Sequence, residues 1–140
     1  MAGKDINEVA KRELKDAASY LFFEWDGSSA NVLAHSFEDG PKLNELPPIA
    51  KSVENRDEAI KHGLTLQGTR YEVHRHHPPL VYGRTMSDNP EESVGIALCM
   101  VENTASGKPI FGLITYQMPN ISARMVPILQ QFCTEHLTTA

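Results

Sequence analysis

The 140-residue sequence is short of several things that would have assigned it quickly. It has two cysteines, Cys99 and Cys133, on segments that read as separate elements, which is no disulfide framework. No run of about 18 apolar residues is present, which excludes a spanning helix. The opening "MAGKDINEVAKREL" has lysines but no uninterrupted apolar stretch after them, so no signal peptide is expected and the chain is placed in a reducing cytosol. There is no Gly-x-Ser-x-Gly, phosphate loop or dinucleotide fingerprint, which leaves catalysis without positive support. Nor is there an excess of positive charge: 13 Lys and Arg against 18 Asp and Glu give −5, an argument against a nucleic-acid binder. No repeat or low-complexity linker interrupts the chain, and its length predicts one domain over 1–140. The glycosylation-type triplet Asn120-Ile121-Ser122 reads as helix-capping sequence.

What is present alternates cleanly between helix and strand signals. Asp5 and Glu8 form a capping-box pattern ahead of Ile6, Val9, Ala10 and Leu14 at helical spacing. "SYLFFEW" and "NVLAHSF" read as strands joined by a turn at Asp26-Gly27, with the indole N–H of Trp25 expected near water. A helix is predicted over 44–53 with Pro47 and Pro48 in its first turn, then a second one capped by Asn55 and ended by Gly63. Five strands follow, "LTLQ", "RYEVHRH", "LVYGRTM", "VGIALCMVE" and "PIFGLITYQ", separated by Gly68, by Pro78-Pro79, by the acidic loop 87–93 and by "TASG". The acidic loop is expected to face solvent. A last helix is predicted over 121–137, with Ile121, Met125, Ile128, Leu129, Phe132 and Cys133 on its buried stripe and a bend or late start at Pro127. This order predicts an antiparallel sheet covered by helices.

Chemistry-bearing residues concentrate in one segment. Arg70, Arg75 and Arg84 oppose only Glu72 before Asp88, a basic patch on an acidic chain. Read as a straight strand, Arg70, Glu72, His74 and His76 share one face, and Tyr71, Val73, Arg75 and His77 share the other. Strand positions two apart lie about 6.8 Å from each other and can chelate one ion, but Glu72 and His76 would be about 13 Å apart. His35 is the only evident further donor. A solvated face or a partner surface is therefore favoured over a metal site on His74 and His76, and no metal or cofactor is expected. Cys99 and Cys133 fall on apolar elements, where a thiol is ordinarily an inert small hydrophobe.

The segment "HGLTLQGTRYEV" closely resembles the Asn-Gly-Leu-Thr-Leu-Gly-Gly-Gln-Lys-type stretch of profilins, small actin-monomer-binding proteins. "KDAASYLFFEWDGSSANVLA" is similar to that family's first hairpin, and "GRT" at Gly83 to Thr85 is similar to a segment of its strand meander. "PIFGLITY" and the helix bearing Met125, Val126, Leu129 and Phe132 are similar to its last strand and helix. The resemblance implies an α+β fold: a central antiparallel sheet with the N- and C-terminal helices packed on one face and short helices on the other. It also implies a non-enzymatic, cytoplasmic, cytoskeleton-associated protein that sequesters or delivers actin monomers and promotes nucleotide exchange on actin. The contacts it implies are Arg70, Arg75, Arg84, Asn120 and Arg124, the last standing where the family has an acidic residue. Arginines of this kind fork to carboxylates and steer encounter with an acidic partner. Arg75 can join Arg70 on one surface only at a strand end or bulge.

His74, His76 and His77 are expected to form a pH-sensitive margin of that surface, with plain solvent exposure as the rival reading. The departures from the family are informative too. No aromatic precedes Tyr20 and the C-terminus has no Tyr, so the paired aromatics with which profilins grip proline-rich ligands are missing and polyproline binding is not expected. The acidic N-terminal half argues against phosphoinositides. The pattern is similar to divergent archaeal, Asgard-type profilins. A small-ligand sensor or dimeric scaffold of PAS-like or roadblock-like topology remains as the alternative.

Overall fold

The structure, a computed structural model, describes residues 6–86 and 92–138. Helix α1 (Ile6–Glu13) leads into the hairpin β1 (Ser19–Trp25) and β2 (Ala30–His35). A 3₁₀ turn (Leu43–Glu45) runs into α2 (Leu46–Ser52), and α3 (Arg56–His62) follows. Strands β3 (Leu64–Leu66), β4 (Thr69–His77), β5 (Leu80–Arg84), β6 (Val94–Val101) and β7 (Ile110–Gln117) then precede α4 (Ser122–His136). The seven strands form one sheet in the order β2-β1-β7-β6-β5-β4-β3, with every neighbouring pair antiparallel. This is the α+β architecture that the sequence predicts. The capping residue Asp5 and most of the acidic loop, 87–91, lie outside the described residues.

Local chemistry explains the element boundaries. The Asp26 carboxylate accepts N–H bonds from Ser28 at 2.8 Å and Ser29 at 2.7 Å, and hydroxyl bonds from both serines. These bonds, led by the Ser29 N–H, hold its carboxyl well below the usual range. Asn55 accepts from the Glu58 N–H at 3.1 Å and starts α3, while Gly63, at φ 69°, ends it. Pro47 and Pro48 occupy the first turn of α2 as expected. Pro127 neither delays nor stops α4; it sits on the exposed side of the helix, where the carbonyl left without its N–H can be hydrated.

Two apolar layers sandwich the sheet. On one face α1 and α4 cover Tyr20, Phe22, Cys99, Ile114 and Tyr116; on the other α2 and α3 cover Leu21, Phe23, Leu64, Tyr71, Val73 and Phe111. The terminal helices thus share one face and the short helices the other. Trp25 belongs to the second layer and is only 8% exposed, so most of its ring leaves water. Ile121, placed by spacing on the buried stripe of α4, is 44% exposed, because the helix begins after it and its side chain precedes the packed turns. The Phe132 ring lies tilted against Phe22 with centroids 5.0 Å apart, and burying a ring of this size contributes about 2 to 3 kcal/mol. Gly112 makes that contact possible, since a Cβ there would lie 2.6 Å from the Phe22 ring.

Two carboxylates tie the helices to this frame. Glu45, 9% exposed, accepts the Gln67 N–H at 2.7 Å and the Gly68 N–H at 2.9 Å. Gln67 and Gly68 both have positive φ, 53° and 79°, the pair that a tight two-residue hairpin between β3 and β4 requires. On the other face, Nε2 of the buried His136 donates to the Glu13 carboxylate at 2.9 Å and joins α4 to α1. That bond is the chief cause holding the Glu13 carboxyl below its ordinary value of 4.5.

Replacing Glu45 by Ala strands two backbone donors in a part-buried turn, and urea unfolding is expected to show a loss of about 2 to 3 kcal/mol. A carboxyl whose folded pKa is depressed contributes stability that is complete above its unfolded value and lost as pH falls through the folded one. Glu13→Gln should therefore reduce the fall of the urea midpoint as pH is lowered from above 4.5 into the acid range, compared with the parent chain.

Candidate functional site

The geometry of the basic segment turns on one irregularity. In the β4–β5 ladder Val73 pairs with Gly83 and Arg75 with Tyr82, so His74 is an extra residue opposite neither. This is a bulge of the kind needed for Arg75 to join Arg70. Before it, Tyr71 and Val73 point into the α2/α3 layer, leaving Arg70 and Glu72 on the α4 side. After it, His76 pairs with Val81 of the α2/α3 layer, and Arg75 pairs with Tyr82, which packs against the α1/α4 layer. Arg70, Glu72, Arg75 and His77 therefore share the α4-side face, and Arg84, paired with Glu72, joins them.

Gly83 is what lets the strands approach at the bulge. A Cβ on Gly83 would sit 1.7 Å from the Glu72 carbonyl oxygen, so no side chain fits without displacing β4.

The re-phasing corrects two sequence expectations. His76 leaves the proposed histidine margin: it faces the α2 side, and its Nε2 bonds the Ser52 carbonyl at 2.8 Å. His74 and His77 remain exposed. The straight-strand set Glu72, His74 and His76 does not exist as one face. His35 lies in β2 at the opposite end of the sheet, its Nδ1 accepting the Phe37 N–H at 3.1 Å, so the three histidines considered for a metal are not brought together. Glu13, Glu135 and His136 are the one group among the described residues with three donor atoms of this kind within 4.8 Å. His136 Nε2 is already engaged by Glu13 there, and the group serves as a helix clasp.

The arginines differ in how they are held. Arg70 is exposed and reaches the Lys61 carbonyl at 3.2 Å and the Glu72 carboxylate at 3.4 Å. Arg75 is exposed. Arg84 is half-buried: its Nε donates to Ser93 Oγ at 2.9 Å, while its Nη2 is buried with no hydrogen-bond partner among the described residues. Burial pushes the neighbouring Tyr116 phenol up to about 12, and the Arg84 charge acts in the opposite direction. Asn120 and Arg124 belong to an exposed bonded network. Arg124 bonds the Asn120 side chain and, at 2.6 Å, the Asp16 carboxylate, and Asn120 Nδ2 donates to the Asp16 carbonyl at 3.2 Å. Asn120 thus braces the start of α4 against the α1–β1 connection. It does not cap the helix, whose N-cap is Ile121 with no side-chain bond.

Between the bulge and the start of α4 lie two adjoining grooves of about 290 and 250 Å³. Both are lined by His74 and Arg84; Met86, Met118 and Ile121 border the first, Arg75 and Ser122 the second. Met86 is 77% exposed, and Met118 and Ile121 are more than two-fifths exposed. Three of the five exposed large apolar residues among the described ones thus surround one groove, the other two being Leu43 and Ile60. Apolar anchors beside arginines are the composition of a protein-binding patch. Sequence reasoning missed Met86 and Met118, which sit beyond strand ends where no periodicity marks a face.

Alanine at Gly83 is expected to cost about 3 kcal/mol or more in urea unfolding, because the clash is with backbone and cannot relax by rotamer change. Backbone amide spectra should show the largest shifts at residues 72–76.

No family model and no curated protein matches the chain. Solved structures do. Profilin II of Acanthamoeba castellanii superposes with a TM-score of 0.70 at 16% identity, covering 94% of each chain. The Schizosaccharomyces pombe profilin gives 0.70 at 15% identity, over 92% of this chain and 91% of that one. LokiProfilin1, solved in a complex with rabbit actin, gives 0.67 at 12% identity, over 93% of this chain and 90% of that one. With TM-scores of 0.67 to 0.70 and nearly full mutual coverage, the chain has the profilin fold.

Proposed function

We propose that the chain is a non-enzymatic actin-monomer-binding protein that uses the α4-side face of β4 and β5 with the start of α4. The observation carrying this reading is the convergence of Met86, Met118 and Ile121 with His74, Arg75 and Arg84 around one groove. The fold it shares with LokiProfilin1, solved with rabbit actin, supports actin as the partner. Arg84 lines both grooves and is held half-buried by its Nε bond to Ser93 Oγ. A half-buried arginine of this kind anchors an interface, whereas Arg70 and Arg75 at the rim act on encounter and orientation. Asn120 and the exposed Arg124, held by Asp16, add the start of α4 to the contact surface. Sequestration or delivery of monomers, and acceleration of nucleotide exchange on actin, are the roles this binding would serve in a cytoplasmic protein.

Proline-rich ligands do not belong to this reading. Helix α1 has no aromatic residue, and Phe132 and His136 of α4 are 2% and 9% exposed, so neither offers a ring to a polyproline helix.

Calorimetric titration against rabbit actin monomers tests the assignment. Arg84→Ala is expected to weaken binding by about thirtyfold, and the double change Arg70→Glu with Arg75→Glu by about tenfold with a loss of salt dependence. Unchanged affinity in both variants, or no binding by the parent chain, would overturn the reading.

A further inference from the structure

A further cavity lies away from the basic groove. It has a volume of about 520 Å³ and opens between the β4–β5 turn at Pro78 and Pro79, the end of β6 at Glu102, and α4 up to Thr138. Both cysteines of the chain line it, and both are free and buried. Their proximity follows from the packing. Cys99 is the cross-strand partner of Gly112, and the Cys133 sulfur rests on Gly112, 3.2 Å from where a Cβ would stand. Two strands and one helix turn therefore place the two thiols side by side at the floor of an open cavity.

We propose that Cys99 and Cys133 form a dithiol site that takes a small hydroperoxide from this cavity and closes into a disulfide joining β6 to α4. The division of labour follows from burial and contact: Cys133 is the more deeply buried thiol, 1% against 3% exposed, and its contact with Cys99 lowers the Cys99 pKa while that contact and burial push Cys133 up. Cys99 is the nucleophile and Cys133 the resolving thiol.

The Cys99 thiolate attacks one oxygen of the hydroperoxide. A sulfur–oxygen bond forms, the oxygen–oxygen bond breaks, and the departing alkoxide or hydroxide takes up the proton that Cys99 gave to solvent. Cys133 then attacks the sulfenic sulfur. The sulfur–sulfur bond forms, the sulfur–oxygen bond breaks, and hydroxide leaves as water with the Cys133 proton. The two thiols lose two electrons together and the hydroperoxide gains them, giving one disulfide, one alcohol or water, and one further water. The product ties the C-terminal half of α4 to the sheet, so the inert-hydrophobe reading of these thiols is replaced by a reactive pair.

Hydrogen peroxide is the probe, applied to the full native chain with alkylation after denaturation and mass analysis of non-reduced digests. The expected result is a mass loss of two hydrogens, a peptide linking Cys99 to Cys133, and a thermal midpoint raised by about 5 °C or more. Native protein should form this link at least about threefold faster than urea-unfolded protein, in which Cys99 has an ordinary pKa. Cys133→Ser should leave a sulfenic acid on Cys99 that dimedone traps, and Cys99→Ser should give no adduct. Full alkylation of both thiols after peroxide, linkage only between chains, or faster reaction in urea would each overturn the proposal. These readouts come from the parent chain, so a variant that fails to fold does not decide the matter.

Discussion

The extra residue in β4 is the constraint on which the recognition surface depends. A regular strand through residues 70–77 would send Arg70 and Arg75 to opposite sides, and one of them would enter the α2/α3 layer beside Tyr71 and Val73. Burying an unpaired guanidinium there is prohibitively unfavourable. With His74 bulged out of the ladder, the apolar residues before it and the basic ones around it each reach the solvent or core side that suits them. Gly83 is the other half of the device, because the bulge presses the β4 backbone against it.

The same economy appears at Glu45. Its buried carboxylate satisfies two N–H groups of the Gln67-Gly68 turn, and the Gln67 side chain in turn bonds the 40–42 connection through the Gly40 carbonyl and the Lys42 N–H. One turn therefore locks the β3–β4 hairpin to the segment that enters α2. The stretch of strongest family resemblance, "HGLTLQGTRYEV", proves to be mostly this structural joint: Gly63 ends a helix, Gln67 and Gly68 make the hairpin, and Tyr71 and Val73 fill the core. Of its β4 residues, only Arg70 and Glu72 face the proposed partner surface.

Division of the molecule into two faces also separates its chemistry. The α4 side presents the groove near the start of the helix, where Ile121 and Ser122 meet the bulge, and the thiol cavity near its end, where Cys133 meets Cys99. One helix thus bounds both. Its position is held by the Arg124–Asp16 pair near one end and the His136–Glu13 pair at the other.

Hydropathy period, turn residues and capping pairs were enough to read the helix and strand order, the two hairpin turns and the antiparallel sheet, because those signals act over a few neighbouring residues. The need for a bulge at Arg75 was legible as well, from the conflict between alternation and a shared basic face. Which way His76 points, the engagement of Asn120 and Arg124 with Asp16, and the gathering of Met86, Met118 and Ile121 were not. Each depends on a partner far along the chain: Asp16 lies more than a hundred residues before Arg124, and Ser52 is 24 residues from His76. Local propensity was determined by the sequence read alone; the facing of side chains across a bulge, and the meeting of Cys99 with Cys133, were decided only when the sheet and α4 packed together.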